Sequence, residues 1–424
     1  MTKENHTAGV MGQGRIIAGG IAGNVMEWYD FAIYGYFAVV IGHKFFPSED
    51  PSVSIIAAFG AFAAGFLARP VGGLLLGRLG DVVGRRQVLM ISIFCMAIPT
   101  VLLGLLPSYD HIGVAAPILV VLLRIIQGLS VGGEYTSSSV FLAEHAPVAK
   151  RGFLTSWSTW GAVAGILLGS GIGAIFTNLL TPEQVAAWGW RIPFLLGGLV
   201  AVVGLMLRRG LVNEPEASVE GKAPVTTLFR DHLGAMARIV GLNIGVSGVG
   251  FYLIFVYSVT YIKTIDHLAG DIAFDLNTLA LVLMLFIMPL SAYLSDRVGR
   301  KPMLFTGLIG VAVGAFPCFM LIHSTDPMHI FAGQAILAVF IGIFCGTVAA
   351  ANVEQLPHEV RCTGLAVSYN LSVGIFGGTT PMIAAWLIRE SGNPIAPAYY
   401  LLVVVLISVV AAFTIKEKAN QALD

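Results

Sequence analysis

Long apolar runs recur along the whole chain and constrain its fold more than any other feature. A run of ~20 apolar residues is the length that an α-helix needs to cross the ~30 Å hydrocarbon core of a bilayer. Twelve runs of this kind are predicted to span a membrane, at 16–42, 53–77, 87–106, 113–142, 153–178, 190–208, 238–263, 276–295, 303–323, 329–353, 363–389 and 396–415. We therefore expect an all-α integral membrane protein with twelve transmembrane helices.

Composition agrees with this class and argues against several others. Charged residues make up 11% of the chain, against ~25% in soluble proteins. A formal net charge of zero argues against nucleic acid as a partner. The first run carries two acids and no small-residue cleavage site, so it is not a removed signal peptide. No metal site is expected, because the four cysteines lack ligand spacing: Cys95, Cys318, Cys345 and Cys362.

The distribution of lysine and arginine predicts the orientation in the membrane. Of the 24 lysines and arginines, 18 fall at the termini and in the loops on the same side of the membrane as the termini. Cytoplasmic loops carry such an excess of positive charge. Both termini are therefore predicted to be cytoplasmic in a multi-pass plasma-membrane protein.

One loop motif occurs twice, six predicted helices apart. Asp-x-x-Gly followed by two cations stands at 81–86 and again at 296–301. Glycine permits a tight turn, and the aspartate can cap the next helix. The repeat predicts two six-helix halves, 1–208 and 238–424, joined by a cytoplasmic loop at 209–237. Arginines of the first copy could bridge to a carboxylate on a neighbouring helix end, and the predicted cytoplasmic gate comprises Asp81, Arg85, Arg86, Glu144, Asp296 and Arg300.

Five ionisable residues interrupt the apolar runs and predict the transport path. A charge at membrane depth costs at least ~2.5–3.5 kcal/mol on insertion scales, so it persists where it faces partners or water. Glu27 and Asp30 share one stripe of the first run, while Arg124 and Glu134 lie in the fourth. No histidine falls at mid-membrane depth, so carboxylates are expected to carry a proton. The predicted proton-coupling residues are Glu27, Asp30, Arg124 and Glu134, although purely structural pairing remains open for the acids.

Aromatic and polar residues in the same runs predict a solute site. A quaternary ammonium group favours aromatic faces, each contact contributing ~0.5–2 kcal/mol. The alternative is that these aromatic residues pack against lipid or neighbouring helices. Arg69 could bind solute or form a packing or gating pair. The predicted solute-binding residues are Trp28, Tyr29, Tyr34, Arg69, Gln127, Tyr135, Trp160, Tyr252, Tyr257 and Asn370.

Several segments together resemble a known group of transporters. The duplicated loop resembles the signature of the major facilitator superfamily. The segments at 23–35, 67–73, 124–135, 150–153 and 188–194 resemble its metabolite:proton symporter family, most closely the proline/glycine-betaine transporters. This resemblance implies the major facilitator fold, a bacterial inner membrane, and proton-driven uptake of a small organic solute by a monomer without a cofactor. No coiled coil follows Thr414, so it does not imply osmotic sensing.

Other functions fit the sequence less well. A channel needs no duplicated gate, a primary pump would need a phosphate-binding loop, and an enzyme would need a nucleophile with a base or a metal cluster. The alternative within transport is a proton-coupled symporter of an organic acid such as oxoglutarate or citrate, because Arg69 and Arg124 could bind anions. If Glu27, Asp30 and Glu134 face these two arginines, the local formal charge is −1, which favours a zwitterion over a dianion.

Overall fold

The computed structural model describes residues 13–83, 85–131, 133–209 and 225–423, and it describes side chains there except at 13–20, 22, 74, 76–90, 204–205, 207–209 and 225–227. The described part of the chain is helical and contains no β-strand. Nine of the described helices are long and apolar enough to cross a membrane, or ten when the bent pair Pro182–Gly189 and Arg191–Val203 is taken as one span.

The N-terminal helices precede residue 210. They are α1 (Gln13–Tyr36), α2 (Ala38–Phe45), α3 (Pro51–Val83), α4 (Arg85–Leu105), α5 (Tyr109–Ile112), α6 (Ala115–Ser130), α7 (Glu134–Glu144), α8 (Arg151–Leu179), α9 (Pro182–Gln184) and α10 (Arg191–Arg209). The first predicted span is broken at Phe37, and the fourth is broken between Ser130 and Glu134.

The C-terminal helices follow residue 224. They are α11 (Val225–Asp231), α12 (Leu233–Asn243), α13 (Ser258–Thr264), α14 (Gly270–Val298), α15 (Arg300–Ile322), α16 (Pro327–Val353), α17 (Arg361–Ser372), α18 (Gly378–Ser391) and α19 (Ala396–Thr414). π-Helical turns at Ile244–Gly250 and Leu253–Tyr257 join α12 to α13, and another at Val373–Gly377 joins α17 to α18. Such turns keep the backbone hydrogen-bonded at membrane depth while changing the direction of side chains.

Glycines allow α8 to lie directly against α1. A Cβ atom at Gly165 would come within 2.3 Å of the Val25 carbonyl oxygen, and one at Gly161 within 3.0 Å of the Ile21 Cα. Small residues at helical spacing permit this close approach. Further along, α8 meets the C-terminal helices, because Gly173 abuts Phe274 of α14. α8 is thus a common wall for both sets of helices.

Candidate functional site

Two acids on α1, one helical turn apart, face different arginines. Glu27 Oε1 lies 3.6 Å from Arg69 Nη1 on α3. Asp30 Oδ2 lies 4.0 Å from Arg124 Nη1 on α6. All four side chains are at most 5% exposed, so each charge is held in the interior by an opposite charge. α1 therefore carries two separate ion pairs rather than one shared cluster.

Asp30 belongs to a hydrogen-bond network that α4 and α6 complete. The Thr100 hydroxyl donates to Asp30 Oδ1, and the Gln127 amide donates to Oδ2 over 2.6 Å. Gln127 also donates to Thr100 Oγ1 and accepts from Arg124 Nη1, both over 2.9 Å. The structure thus places Gln127 between Asp30 and Arg124 rather than in the wall of the solute cavity described below. No sequence pattern pointed to Thr100, because one threonine in an apolar run is ordinary.

Aromatic rings enclose both arginines. The Arg69 guanidinium lies 4.0 Å from the ring centroid of Phe66 and 4.2 Å from that of Phe31. The Arg124 guanidinium lies 4.5 Å from Phe31 and 4.5 Å from Tyr34. Cations over aromatic faces gain ~0.5–2 kcal/mol each when desolvated. Phe31, which the sequence did not single out, therefore supports both charged groups at once.

A cavity opens beside the Glu27–Arg69 pair, and we call it the solute cavity. Its empty space, part of which is open to solvent, is about 170 Å³. Helices from both sets contribute to its wall. The lining residues are Glu27, Arg69, Val131, Gly133, Glu134, Tyr135, Thr136, Tyr369 and Asn370. The break between α6 and α7 thus lies where irregular backbone at membrane depth is tolerated, at a cavity.

Two aromatic residues line this cavity, the predicted Tyr135 and, in addition, Tyr369. The rings of Tyr135 and Tyr369 are stacked with centroids 4.5 Å apart. Trp28 lies behind them, with its ring 6.4 Å from Tyr135 and 6.3 Å from Tyr252. The predicted Asn370 also lines the cavity, and its amide donates to the Ala366 carbonyl oxygen. This cluster of aromatic faces and carboxylates can accommodate a positively charged group.

Four other predicted aromatic residues lie outside the described wall of the solute cavity. The Tyr29 hydroxyl donates to the Pro193 carbonyl oxygen over 2.6 Å, and the Tyr34 hydroxyl donates to that of Ala58 over 3.0 Å. Trp160 donates to the Leu285 carbonyl oxygen across the α8–α14 contact, while the Tyr257 ring packs on Phe59. The rotation of each helix determines which aromatic side chains reach the cavity, and residue type alone does not reveal that rotation.

Charged side chains join the two sets of helices at one end of the molecule. This motif end comprises 144–153, 296–301 and 354–361. The backbone N–H groups of Gly152 and Phe153 donate to the Asp296 carboxylate over 2.7 and 2.8 Å. Arg300 Nη2 and Arg151 Nη1 each lie 3.0 Å from Glu354 Oε1. All six residues are buried or half-buried, so the motif end is closed.

Glu144 has partners in the C-terminal helices that its position in the sequence did not suggest. Its Oε1 accepts from Arg361 Nη1 over 2.8 Å and lies 3.2 Å from His358 Nδ1. Both partners belong to the C-terminal helices, so Glu144 ties the two sets together. The remaining predicted gate residues, Asp81, Arg85 and Arg86, have side chains outside the described part of the structure.

The segment after α19 adds a brace to the motif end. The Glu417 carboxylate accepts from the backbone N–H groups of Arg300 and Lys301, over 3.0 and 2.8 Å. Arg151 Nη2 donates to the Gln421 carbonyl oxygen over 2.6 Å. A single short segment thus caps α15 and reaches α8 of the N-terminal helices.

Side chains also bridge the two sets of helices at the opposite end, the far end. Asn277 donates to the Tyr36 hydroxyl over 3.1 Å and to Ser170 Oγ over 3.0 Å. Arg389 Nε donates to Asp50 Oδ2 over 2.9 Å. This hydrogen bond is the main reason that the pKa of the Asp50 carboxyl lies below its ordinary value. The two sets of helices are thus bridged at both ends of the molecule.

Comparison with known protein families gives matches over nearly the whole chain. The family model described as "Sugar (and other) transporter" matches residues 17–214, and the model described as "Major Facilitator Superfamily" matches residues 240–423. The proline/betaine transporter of Escherichia coli (strain K12) is 39% identical over 420 residues, which cover 95% of this chain and 83% of the relative. The glycine betaine/proline/ectoine/pipecolic acid transporter OusA of Dickeya dadantii (strain 3937) is 39% identical, with 96% and 84% covered.

Solved structures agree on the fold. The proton:xylose symporter XylE bound to 6-bromo-6-deoxy-D-glucose superposes with a TM-score of 0.77 at 19% identity, covering 97% of each chain. A D-xylose-proton symporter superposes with a TM-score of 0.75 at 22% identity, covering 96% of this chain and 99% of that one. Similarity at this level of identity establishes the arrangement of the helices.

Proposed function

Since the chain belongs to the major facilitator superfamily of transporters, we propose that it is a proton-coupled symporter of a small zwitterion such as proline or glycine betaine. The prediction of a transporter with the major facilitator fold, rather than an enzyme, is confirmed by the relatives and structural neighbours. The observation that carries the proposal is the pair of buried ion pairs on α1, of which one borders the solute cavity and the other lies away from it.

Asp30 is the proton carrier in this proposal. It lies in the interior, 4.0 Å from Arg124, and Gln127 and Thr100 hydrogen-bond both its oxygens. Protonation removes its negative charge, so Arg124 loses its counter-ion and the contacts among α1, α4 and α6 change. This change is the means by which proton binding alters the relative stability of the transporter's conformations.

Glu27, Arg69 and the aromatic residues hold the solute. Arg69 Nε and Nη2 are buried and make no hydrogen bond with described residues, which leaves them available to a solute carboxylate. Tyr135, Tyr369 and the acids Glu27 and Glu134 line the same cavity and suit the cationic group. A zwitterion satisfies both features at once. The predicted roles of Trp28, Tyr252 and Asn370 are compatible with this site.

Alternating access follows from the two bridged ends. The proposed halves are 1–208 and 238–424, linked by 209–237, and the excess of lysine and arginine favours a cytoplasmic motif end with both termini on that side. Opening of the far end would break Asp50–Arg389, and opening of the motif end would break Glu144–Arg361 and Arg151–Glu354. The solute cavity then faces one side at a time.

An organic acid such as oxoglutarate or citrate is the alternative solute, and the unsatisfied nitrogens of Arg69 favour it. Uptake by proteoliposomes under an inward proton gradient tests both versions, with internal pH followed by a dye. We expect proline or glycine betaine to accumulate and to bring protons with it. Accumulation of the organic acids alone would change the solute class, and uptake that ignores the proton gradient would overturn the proton coupling.

A further inference from the structure

A second cavity touches Asp30, and we call it the α4–α10 cavity. It lies between α1, α4 and α10, and its empty space, part of which is open to solvent, is about 210 Å³. Its lining residues are Met26, Tyr29, Asp30, Met96, Ala97, Thr100, Gly197 and Ala201. Among the described residues it shares no lining side chain with the solute cavity, whose wall comes from α1, α3, α7, α17 and the break before α7. Asp30 therefore has a cavity of its own within the N-terminal helices.

The α4–α10 cavity extends from Asp30 towards the motif end. Helices α1 and α4 run away from that end, and Met26 and Met96 precede Asp30 and Thr100 by about one turn. Helix α10 runs back towards it, and Ala201 follows Gly197 by about one turn. The wall thus lies on the motif-end side of the carboxylate. The cavity has room for about one water molecule, which its carboxylate and hydroxyl can hydrogen-bond.

Thr100 stands where the carboxylate meets this cavity. Its hydroxyl has one hydrogen, yet two acceptors lie within reach: Asp30 Oδ1 and the Met96 carbonyl oxygen, the latter at 2.7 Å. When Asp30 is ionised, Thr100 can donate to it. When Asp30 is protonated, its O–H can donate to Thr100 Oγ1, and Thr100 can donate to Met96 instead. One hydroxyl therefore satisfies both protonation states of the acid.

We propose that the α4–α10 cavity is the route by which protons leave Asp30 towards the motif end, and that Thr100 positions the acid for this transfer. The inference rests on the proposed role of Asp30. In the release step, protonated Asp30 gives its proton to water in the cavity and becomes a carboxylate, which Thr100 and Gln127 then hydrogen-bond. Solute instead leaves through the solute cavity, so proton and solute take different paths.

The groups around Asp30 allow this assignment. Among the side chains that the structure describes, Arg124 of α6 and Tyr29 of α1 are the titratable ones that face it. The described part of α4 contributes Thr100 to the cavity and no charged side chain. On α10, Arg191 points away and donates to the carbonyl oxygens of Gly104 and Leu106. Any pH dependence that arises from this cavity therefore centres on Asp30.

Filling the cavity tests the route. Ala201→Leu places a larger side chain in the wall, while Val202→Leu changes the adjacent, 48% exposed residue and serves as the control. We expect Ala201→Leu to slow proton-driven accumulation by at least about tenfold, which is part of the ~10²–10⁴-fold that a positioned proton transfer contributes, with solute counterflow within about twofold of wild type. Unchanged accumulation in correctly folded Ala201→Leu, or an equal loss of accumulation and counterflow, would overturn the route.

Substitution of Thr100 tests its positioning role by a pH profile. Thr100→Val removes a hydrogen bond to the charged form of Asp30, so we expect half-maximal accumulation to move to higher pH by about one unit. Thr100→Ser keeps the hydroxyl and should restore the wild-type profile. An unmoved profile in Thr100→Val would contradict this role. Asp30→Asn separates the two proposals. If this variant still accumulates solute together with protons, Asp30 is not the proton carrier. If it does not, while the Thr100 and Ala201 variants accumulate solute normally, only the proposed route is rejected.

Discussion

Tyr135 and Tyr257 allow a matched test of the solute site at single residues. Both were predicted to bind solute, but their surroundings differ. Tyr135 lines the solute cavity, whereas Tyr257 packs on Phe59 outside its described wall. If a cationic head group rests on aromatic faces, Tyr135→Leu should weaken betaine affinity by roughly five- to thirtyfold, equivalent to about 1–2 kcal/mol. Tyr257→Leu should change it less than about twofold. Half-saturation of counterflow measures both, and the reverse order would contradict the site.

Arg69 offers a second test at this scale. Arg69→Lys retains the charge but loses the planar guanidinium that lies against Phe66 and Phe31. We expect solute affinity to fall by about tenfold, since a desolvated cation–π contact and a bidentate carboxylate contact are both impaired. Arg230→Lys is the control, because the Arg230 side chain is 79% exposed beside Asp231. Equal affinities in the two variants would remove Arg69 from the solute site.

Helix α8 provides the test at the scale of an element. A Cβ atom at Gly152 would come within 2.3 Å of Arg300 Nη1 and 2.7 Å of Asp296 Oδ1, so Gly152→Ala must disturb the closed motif end. Gly171 lies in the same helix with nothing within 4 Å of a Cβ atom, and Gly171→Ala is the matched control. We expect Gly152→Ala alone to expose the interior from the motif end.

Labelling of buried Cys345 measures this exposure. Thiol reagent is added from the motif side of a variant in which the other cysteines are alanine: Cys95, Cys318 and Cys362. Faster labelling in Gly152→Ala than in Gly171→Ala is the expected outcome, with solute affinity little changed. Identical labelling rates would show that Asp296 and Arg300 do not hold the motif end closed.

At the scale of elements, hydrophobicity located the helices but could not fix their interruptions. Glycines occur in the break between Ser130 and Glu134 and in the π-helical turn at Ile244–Gly250, but they occur equally in the unbroken helix α8, so they did not distinguish these interruptions. The acids of α1 were predicted from their cost in the membrane. Which arginine each acid faces depends on how α3 and α6 rotate against α1, which is a tertiary property. The position of Thr100 beside Asp30 also depends on helix rotation, so the sequence did not predict it.

The whole molecule is bridged at both ends, and the exposed pair Asp50–Arg389 belongs to the far-end closure. Because the hydrogen bond from Arg389 lowers the pKa of the Asp50 carboxyl, this pair stabilises closure above the ordinary aspartate pKa of ~3.9 and loses that effect only as pH falls through the lowered value. Between pH ~5 and ~8 its contribution is therefore constant.

Asp50→Asn should thus favour far-end opening to the same degree throughout that range. The shape of the pH–uptake profile should match wild type even where the rate differs, and proteoliposome uptake at graded pH measures it. A profile whose midpoint moves in Asp50→Asn would place part of the proton dependence at the far end instead of at Asp30.

Solute-driven proton movement in Asp30→Asn shows whether Asp30 couples protons to solute transport. Purified wild type, Asp30→Asn and Glu27→Gln are reconstituted in proteoliposomes, and counterflow, accumulation and internal pH are recorded with betaine. We expect Asp30→Asn to retain counterflow but neither to accumulate betaine nor to move protons, whereas Glu27→Gln should lose betaine affinity. Proton-coupled accumulation by Asp30→Asn at the wild-type level would contradict proton coupling through Asp30.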